Sequence, residues 1–94
     1  LAERMMKQTD SPAGRVAWAF RVVTSRQPHA NELKLLMADL QVYRQEFTEH
    51  PEFATKFLAI GEKPYDKDLD AISLAIYSLV ANTILNLDEA IIQN

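Results

Sequence analysis

The chain has 94 residues and no cysteine, with 48% hydrophobic and 24% charged residues and a formal net charge of −3. This length suits one domain with a modest core, and the composition is that of a folded globular protein rather than a disordered one. Without cysteine, the chain excludes disulfides, zinc–thiolate sites, thiolate catalysis and CxxCH haem attachment.

The charge is unevenly distributed along the chain. Residues 1–50 hold seven Lys and Arg against six Asp and Glu, a net of +1, whereas residues 51–94 hold three against seven, a net of −4. An acidic half with no basic tract argues against nucleic acid or anionic lipid as a partner. No apolar run reaches the roughly 18 residues that span a bilayer, so we expect no membrane-spanning segment.

The N-terminal part predicts a short helix followed by a longer one. Residues 1–8 (LAERMMKQ) begin in the middle of a helical pattern without an initiator Met. We therefore expect the chain to be a C-terminal fragment of a larger protein. Asp10 or Ser11 is placed to cap the next helix, predicted over residues 12–25, and Pro12 suits its first turn.

Two further helices are predicted before a polar linker. The segment over residues 30–48 is clearly amphipathic, and one side of it carries Leu33, Leu36, Met37, Leu40, Tyr43 and Phe47. A short helix over residues 51–60 is expected to present Phe53, Phe57 and Ile60 to the core.

The segment over residues 70–94 is the most apolar part of the chain, and we predict that it is the central helix. Its apolar side chains recur at steps of three and four, and a second set leaves little of its first three turns polar. Ile76, Leu79 and Val80 should therefore lie inside. Short connections imply antiparallel neighbours. The sequence thus predicts one all-α domain over residues 1–94, a small antiparallel bundle of four main helices plus a short N-terminal helix stub.

Polar side chains on this central helix and arginines elsewhere form a candidate polar clasp or contact surface. Its members are Arg15, Arg21, Asn82, Asn86, Asp88 and Glu89. The two asparagines and Glu89 fall on one helix face, and if buried they need partners, which the arginines (Arg4 included) would supply. Adjacent helical carboxylates such as Asp88 and Glu89 do not face each other, so paired-carboxylate catalysis is disfavoured and no catalytic residue is predicted.

The linker contains an acidic pattern, Asp66, Asp68 and Asp70, that copies the first half of a calcium loop. An EF-hand loop also needs Gly at its sixth position and Glu at its twelfth, where this chain has Ala71 and Tyr77. We interpret the pattern as an acidic linker with Asp70 as a helix cap; an irregular calcium site is the alternative.

The imidazoles and large aromatic rings also have structural interpretations. His29 and His50 each lie beside a helix start and lack a second ligand at metal-binding spacing, so helix-terminus roles are favoured over a metal or general base. Trp18, Tyr43 and Tyr77 are expected in the core rather than in a sugar-stacking platform, with Tyr65 in the linker expected to be exposed. No cofactor or metal is predicted within this chain.

Three blocks carry a resemblance to a known family. They are residues 15–33 (RVAWAFRVVTSRQPHANEL), residues 57–70 (FLAIGEKPYDKDLD) and residues 79–94 (LVANTILNLDEAIIQN). Together they resemble the C-terminal region of the planctomycete surface proteins, a domain-of-unknown-function family. The most distinctive pieces are the AFR-x-x-T-x-R-x-P string, the Gly61-Glu62 pair and the terminal LNLDE. Ala90 and His29 depart from the family's pattern, which has hydroxyl side chains at or near these places.

The resemblance implies an exported parent protein, in the periplasm, at the cell surface or outside the cell. Such proteins often carry a planctomycete-type cytochrome c domain, hence a haem c outside this fragment. We expect a non-catalytic structural or interaction module that docks on upstream domains of the same polypeptide. The alternative is one wall of an active site or glycan-binding cleft completed by those domains. Docking predicts an exposed apolar patch near residues 1–6, whereas a cleft wall predicts a pocket lined by Tyr65, Asn86, Asp88 or Glu89.

Overall fold

Five α-helices form the described parts of the computed structural model, which cover residues 1–60, 66 and 68–93, with only the backbone described over residues 89–93. The helices are α1 (Ala2–Gln8), α2 (Pro12–Thr24), α3 (Ala30–Glu49), α4 (Pro51–Ile60) and α5 (Ala71–Gln93). No strand occurs within these residues, so the predicted all-α class is confirmed. The predicted ends of the four longer helices agree with the observed ones to within one residue.

The helix α5 is the element on which the others pack. It contacts α1, α2, α3 and α4. Its residues 74–77 are all buried, and because successive residues point about 100° apart, this segment is covered on every side. Ile76 and Val80 are fully buried and Leu79 packs against the core. The prediction that these three residues lie inside is confirmed.

The composition of α5 also resembles that of a membrane-spanning helix. Residues Ala71–Asp88 have a mean hydropathy of 1.3 over 18 residues, enough by length and composition alone to cross a bilayer. In the structure, the apolar side chains on the covered sides of α5 pack against the four helices around it. Among the described residues, no other helix passes the same test.

The N-terminal helix α1 is a full member of the core. Met5 is completely buried, and Leu1 and Met6 pack against the core cluster. Because α1 lies against both α2 and α5, its apolar side is already covered. The expectation of an exposed apolar patch near residues 1–6 is therefore wrong.

The short helix α4 is rotated relative to the prediction. Its buried residue is Ala54 and Phe57 is partly buried, whereas Phe53 and Ile60 are 41% and 81% exposed. The prediction that Phe53 and Ile60 face the core is wrong. The small Ala54 side chain allows close approach of α4 to its neighbours, and the Phe53 ring instead stacks on His50 with 4.7 Å between ring centroids.

Two of the predicted helix caps are present. The Ser11 hydroxyl accepts a hydrogen bond from the Gly14 N–H at 3.1 Å, and the Asp70 carboxylate accepts one from the Ser73 N–H at 2.9 Å. These bonds satisfy donors that a helix start leaves without an intrahelical partner. At the other end of α2, Ser25 terminates the helix in the left-handed conformation, with φ of 64°.

A comparison of the buried Ile76 of α5 with the exposed Ile60 of α4 tests the central position of α5. Ile76→Ala should lower the free energy of unfolding by about 2–5 kcal/mol, because it removes methyl groups from a closed site and leaves a cavity. Ile60→Ala makes the same chemical change at an exposed position and should stay within about 0.5 kcal/mol of wild type. Chemical denaturation measures both, and equal losses would contradict the placement of α5.

Candidate functional site

The structure gives Arg15 partners other than those of the predicted clasp. Its Nε donates a hydrogen bond to the Thr9 carbonyl at 2.6 Å, and its Nη1 donates to the Tyr77 hydroxyl at 3.3 Å. The guanidinium also lies over the Tyr77 ring, 5.2 Å from the centroid, just as that of Arg4 lies 5.3 Å from the centroid of Trp18. Arg15 therefore links the α1–α2 turn to the buried phenol of α5.

The other members of the predicted clasp lie on the surface where their side chains are described. Arg21, Asn82 and Asn86 are exposed and Asp88 is half-buried, while the Glu89 side chain lies outside the described residues. Exposed amides can be hydrated, so these asparagines lack the burial that made arginine partners necessary. The alternative interpretation, a contact surface for another part of the parent protein, stays a prediction.

The acidic linker holds its neighbours through Asp66 rather than through three converging carboxylates. The Asp66 carboxylate accepts a hydrogen bond from the Asp68 N–H at 3.0 Å and lies 3.3 Å from Lys7 Nζ. The Asp68 N–H and Lys7 together lower the pKa of Asp66 below its ordinary value. The Asp66 N–H in turn donates to Glu3 at 3.0 Å. Because Asp70 caps α5 and Asp66 pairs with Lys7 of α1, two of the three carboxylates have structural roles beside these helices.

The corner between α2 and α3 contains an ion pair that sequence spacing did not reveal. The two Arg26 Nη atoms donate to the two Glu32 carboxylate oxygens at 2.8 and 2.9 Å, and the His29 N–H donates to the same carboxylate at 2.8 Å. The hydrogen bonds from Arg26, and next that from His29, lower the pKa of Glu32 to about 2. The Arg26 guanidinium also lies 4.9 Å from the ring centroid of Phe20. This cluster fixes the direction in which α3 leaves α2.

The histidines and aromatic residues lie as the helix pattern predicts. His29 precedes α3 and His50 follows it, so both are at helix ends. Tyr77 is fully buried, and Trp18 and Tyr43 pack against the core. The core interpretation of these three rings is confirmed, and Tyr65 lies outside the described residues. Within the described residues, no group of three or more His, Asp and Glu side chains is arranged to hold a metal.

The described surface has a shallow open depression, but not at the predicted cleft. It has a volume of about 430 Å³ and is lined by Gln41, Val42, Arg44, Gln45, Thr48 and Glu49. All six belong to the outer side of α3, so no second helix contributes polar groups that converge on a ligand. Asn86 and Asp88 are not part of it, and the remaining residues of the predicted cleft, Tyr65 and Glu89, have no described side chains.

Comparisons of the chain with protein families, with curated proteins and with solved structures found no match.

The partners of Arg15 lead to a stability test. Arg15→Met keeps the length of the side chain but removes two hydrogen bonds and the contact with the Tyr77 ring, so it should lower the free energy of unfolding by about 1–3 kcal/mol. Asn86→Ala removes an exposed amide and should change that energy by at most about 0.5 kcal/mol. Thermal denaturation of both variants measures the two losses of stability. A larger loss for Asn86→Ala than for Arg15→Met would favour the predicted clasp.

The Arg26–Glu32 pair leads to a pH test. A carboxyl whose folded pKa lies below its unfolded value stabilises the fold only while it is ionised. The stability difference between wild type and Glu32→Gln should thus be complete above about pH 4.5 and disappear as the pH falls toward about 2. Glu46→Gln, an exposed change on the same helix, is the control. Urea denaturation across this range measures both, and a Glu32→Gln difference that does not change with pH would contradict the assignment.

Proposed function

We propose that this chain is a non-catalytic structural and interaction module at the C-terminus of a large exported protein, where it docks on upstream domains of the same polypeptide. The membership in the planctomycete surface protein family, the exported location and a haem c elsewhere in the parent are proposed from the resemblance alone. The docking role has a second support, which is the exposed surface of the C-terminal half of α5.

This surface lies C-terminal to the segment of α5 that the neighbouring helices bury on all sides. Residues 74–77 are buried on all sides, whereas Asn82 and then Leu85, Asn86 and Leu87 are exposed. Three successive exposed residues cover about 200° of rotation around the helix axis, so the neighbouring helices leave most of this turn uncovered. Leu85 and Leu87 are 43% and 42% exposed. We call the four residues the α5 docking face.

The chemistry of the α5 docking face suits another protein segment. The two leucines lie about 160° apart around the helix axis, one on each side of the two asparagines, and each offers apolar area, which gains about 25 cal/mol for each Å² removed from water. The two asparagines between them offer both donors and acceptors, and interfaces between folded parts include hydrogen bonds from such groups as well as apolar contacts. An upstream segment with apolar side chains for the leucines and backbone or side-chain polar groups for the amides would complete it.

The finer arrangement of the helices is also a proposal. An antiparallel bundle of four main helices plus the α1 stub is supported by the short connections over residues 9–11 and 25–29, which favour antiparallel neighbours. In that arrangement the docking face lies toward the C-terminal end of α5, beyond residues 74–77 and beside the buried Ile84.

The test compares this chain alone with the full-length parent protein. Hydroxyl-radical footprinting should show severalfold less oxidation of Leu85 and Leu87 in the parent, because docking removes them from water. Val22 on α2 and Ile60 on α4, both exposed, serve as internal controls and should be oxidised equally in the two proteins. Equal oxidation of the two leucines would overturn the docking role, and a parent protein that fractionates with the cytoplasm would overturn the exported location.

A further inference from the structure

The outer side of α3 carries a second exposed pattern, separate from the α5 docking face. Its residues recur at alternating steps of four and three, and they are Asn31, Leu35, Ala38, Val42, Gln45 and Glu49. We call these six exposed residues the α3 seam. At about 100° per residue the seam lies on the opposite side of α3 from the buried Leu36, Leu40 and Phe47. Leu35 and Val42, its largest apolar members, are 67% and 64% exposed.

The spacing of the α3 seam is that of a helix which pairs with another helix. Alternating steps of four and three are the a and d positions of a heptad, where side chains of one helix insert between those of its partner. Leu35 and Val42 occupy a positions and Ala38 the d position between them. The open depression beside Val42, which Gln41 and Thr48 also line, offers room for such an inserted side chain. The apolar centre of the seam is short and its ends are polar, which suits a weak and reversible contact.

The charges beside the seam indicate which partner fits. With Leu35 at an a position, Lys34 is at g and Asp39 is at the following e. In a parallel, in-register pair a g residue faces the e residue five positions later on the other helix, so Lys34 of each copy faces Asp39 of the other. In an antiparallel pair e faces e, and the acidic Asp39 and Glu46 would face acidic residues. Lys34 and Asp39 have no charged residue three or four positions away on α3, so no intrahelical pair uses them.

We propose that the α3 seam pairs with the same seam of a second copy of this chain, with the two α3 helices parallel and in register. Leu35, Ala38 and Val42 then meet their counterparts across the two-fold axis, and Asn31 and Gln45 place amides opposite amides that can hydrogen-bond. The two Glu49 carboxylates repel each other at one end, which confines the pairing to the first part of the seam. The proposal involves α3 and does not depend on the α5 docking face.

The first experiment locates the surface. Sedimentation equilibrium of the 94-residue chain over about two decades of protein concentration should show the mass rising from that of a monomer toward that of a dimer. Leu35→Lys and Val42→Lys should each remain monomeric, because a parallel pair would place two ammonium groups together. Val22→Lys, a matched change at an exposed valine of α2, should associate as wild type does. Circular dichroism melting verifies that each variant is folded.

A wild-type chain that stays monomeric over the whole range would overturn the proposal. Loss of association in Val22→Lys equal to that in Val42→Lys would overturn the assignment of the contact to α3.

The second experiment determines the orientation. Lys34→Glu and Asp39→Lys should each weaken dimerisation by about tenfold, because each change replaces two attractive contacts by two repulsive ones at the edge of the helix pair. The double variant Lys34→Glu with Asp39→Lys restores opposite charges across the pair and should recover the wild-type dissociation constant. A double variant no tighter than either single one would overturn the parallel register.

Discussion

The burial of residues 74–77 of α5 on every side is the constraint on which the rest of the structure depends. Residues 74–77 cannot be covered by one neighbour, because they point to all sides of the helix. The helices α1, α2, α3 and α4 all contact α5. The arrangement requires one buried polar group, the Tyr77 hydroxyl, to find a partner, and Arg15 reaches it from α2 while its stem remains partly buried. The position of α2 along α5 is thus fixed by a specific polar contact as well as by apolar packing.

Polar contacts outside the core fix the path of the chain between helices, and they contribute less to the free energy of unfolding. The Arg26–Glu32 pair and the His29 N–H lie at the corner between α2 and α3, and Lys7 and Glu3 hold residue 66 beside α1. Exposed ion pairs contribute little free energy individually. The Arg26 pair differs in being bidentate and in resting on Phe20, which gives it a fixed geometry. Such contacts select one path between helices whose packing alone would tolerate several.

Much of this fold could be predicted from the sequence because three of the helices are long and strongly periodic. The buried sides of α2, α3 and the first half of α5, and the Ser11 and Asp70 caps, follow from spacing and local hydrogen bonding. The full orientation of α4 could not be predicted, since ten residues with several large apolar side chains do not define one face; the contact is made by Ala54 together with Phe57 and Leu58. The partner of Arg15 lies 62 positions away, which no local pattern reveals. The predicted clasp failed to anticipate that Asn82 and Asn86 are exposed, because the apolar composition of α5 continues past the point where its neighbours cover it.

The two exposed surfaces have consequences for each other if both proposals hold. A parallel pair of α3 helices has its two-fold axis along the helices, and a two-fold rotation preserves every direction along its own axis. The α5 docking faces of the two copies would then lie at the same height along that axis, and the upstream domains docked on them would extend from the same end of the dimer. An antiparallel pair would send them to opposite ends. The charges of Lys34 and Asp39 would therefore determine not only whether two copies meet but also whether their parent proteins stand side by side, an arrangement suited to neighbours that project from one surface.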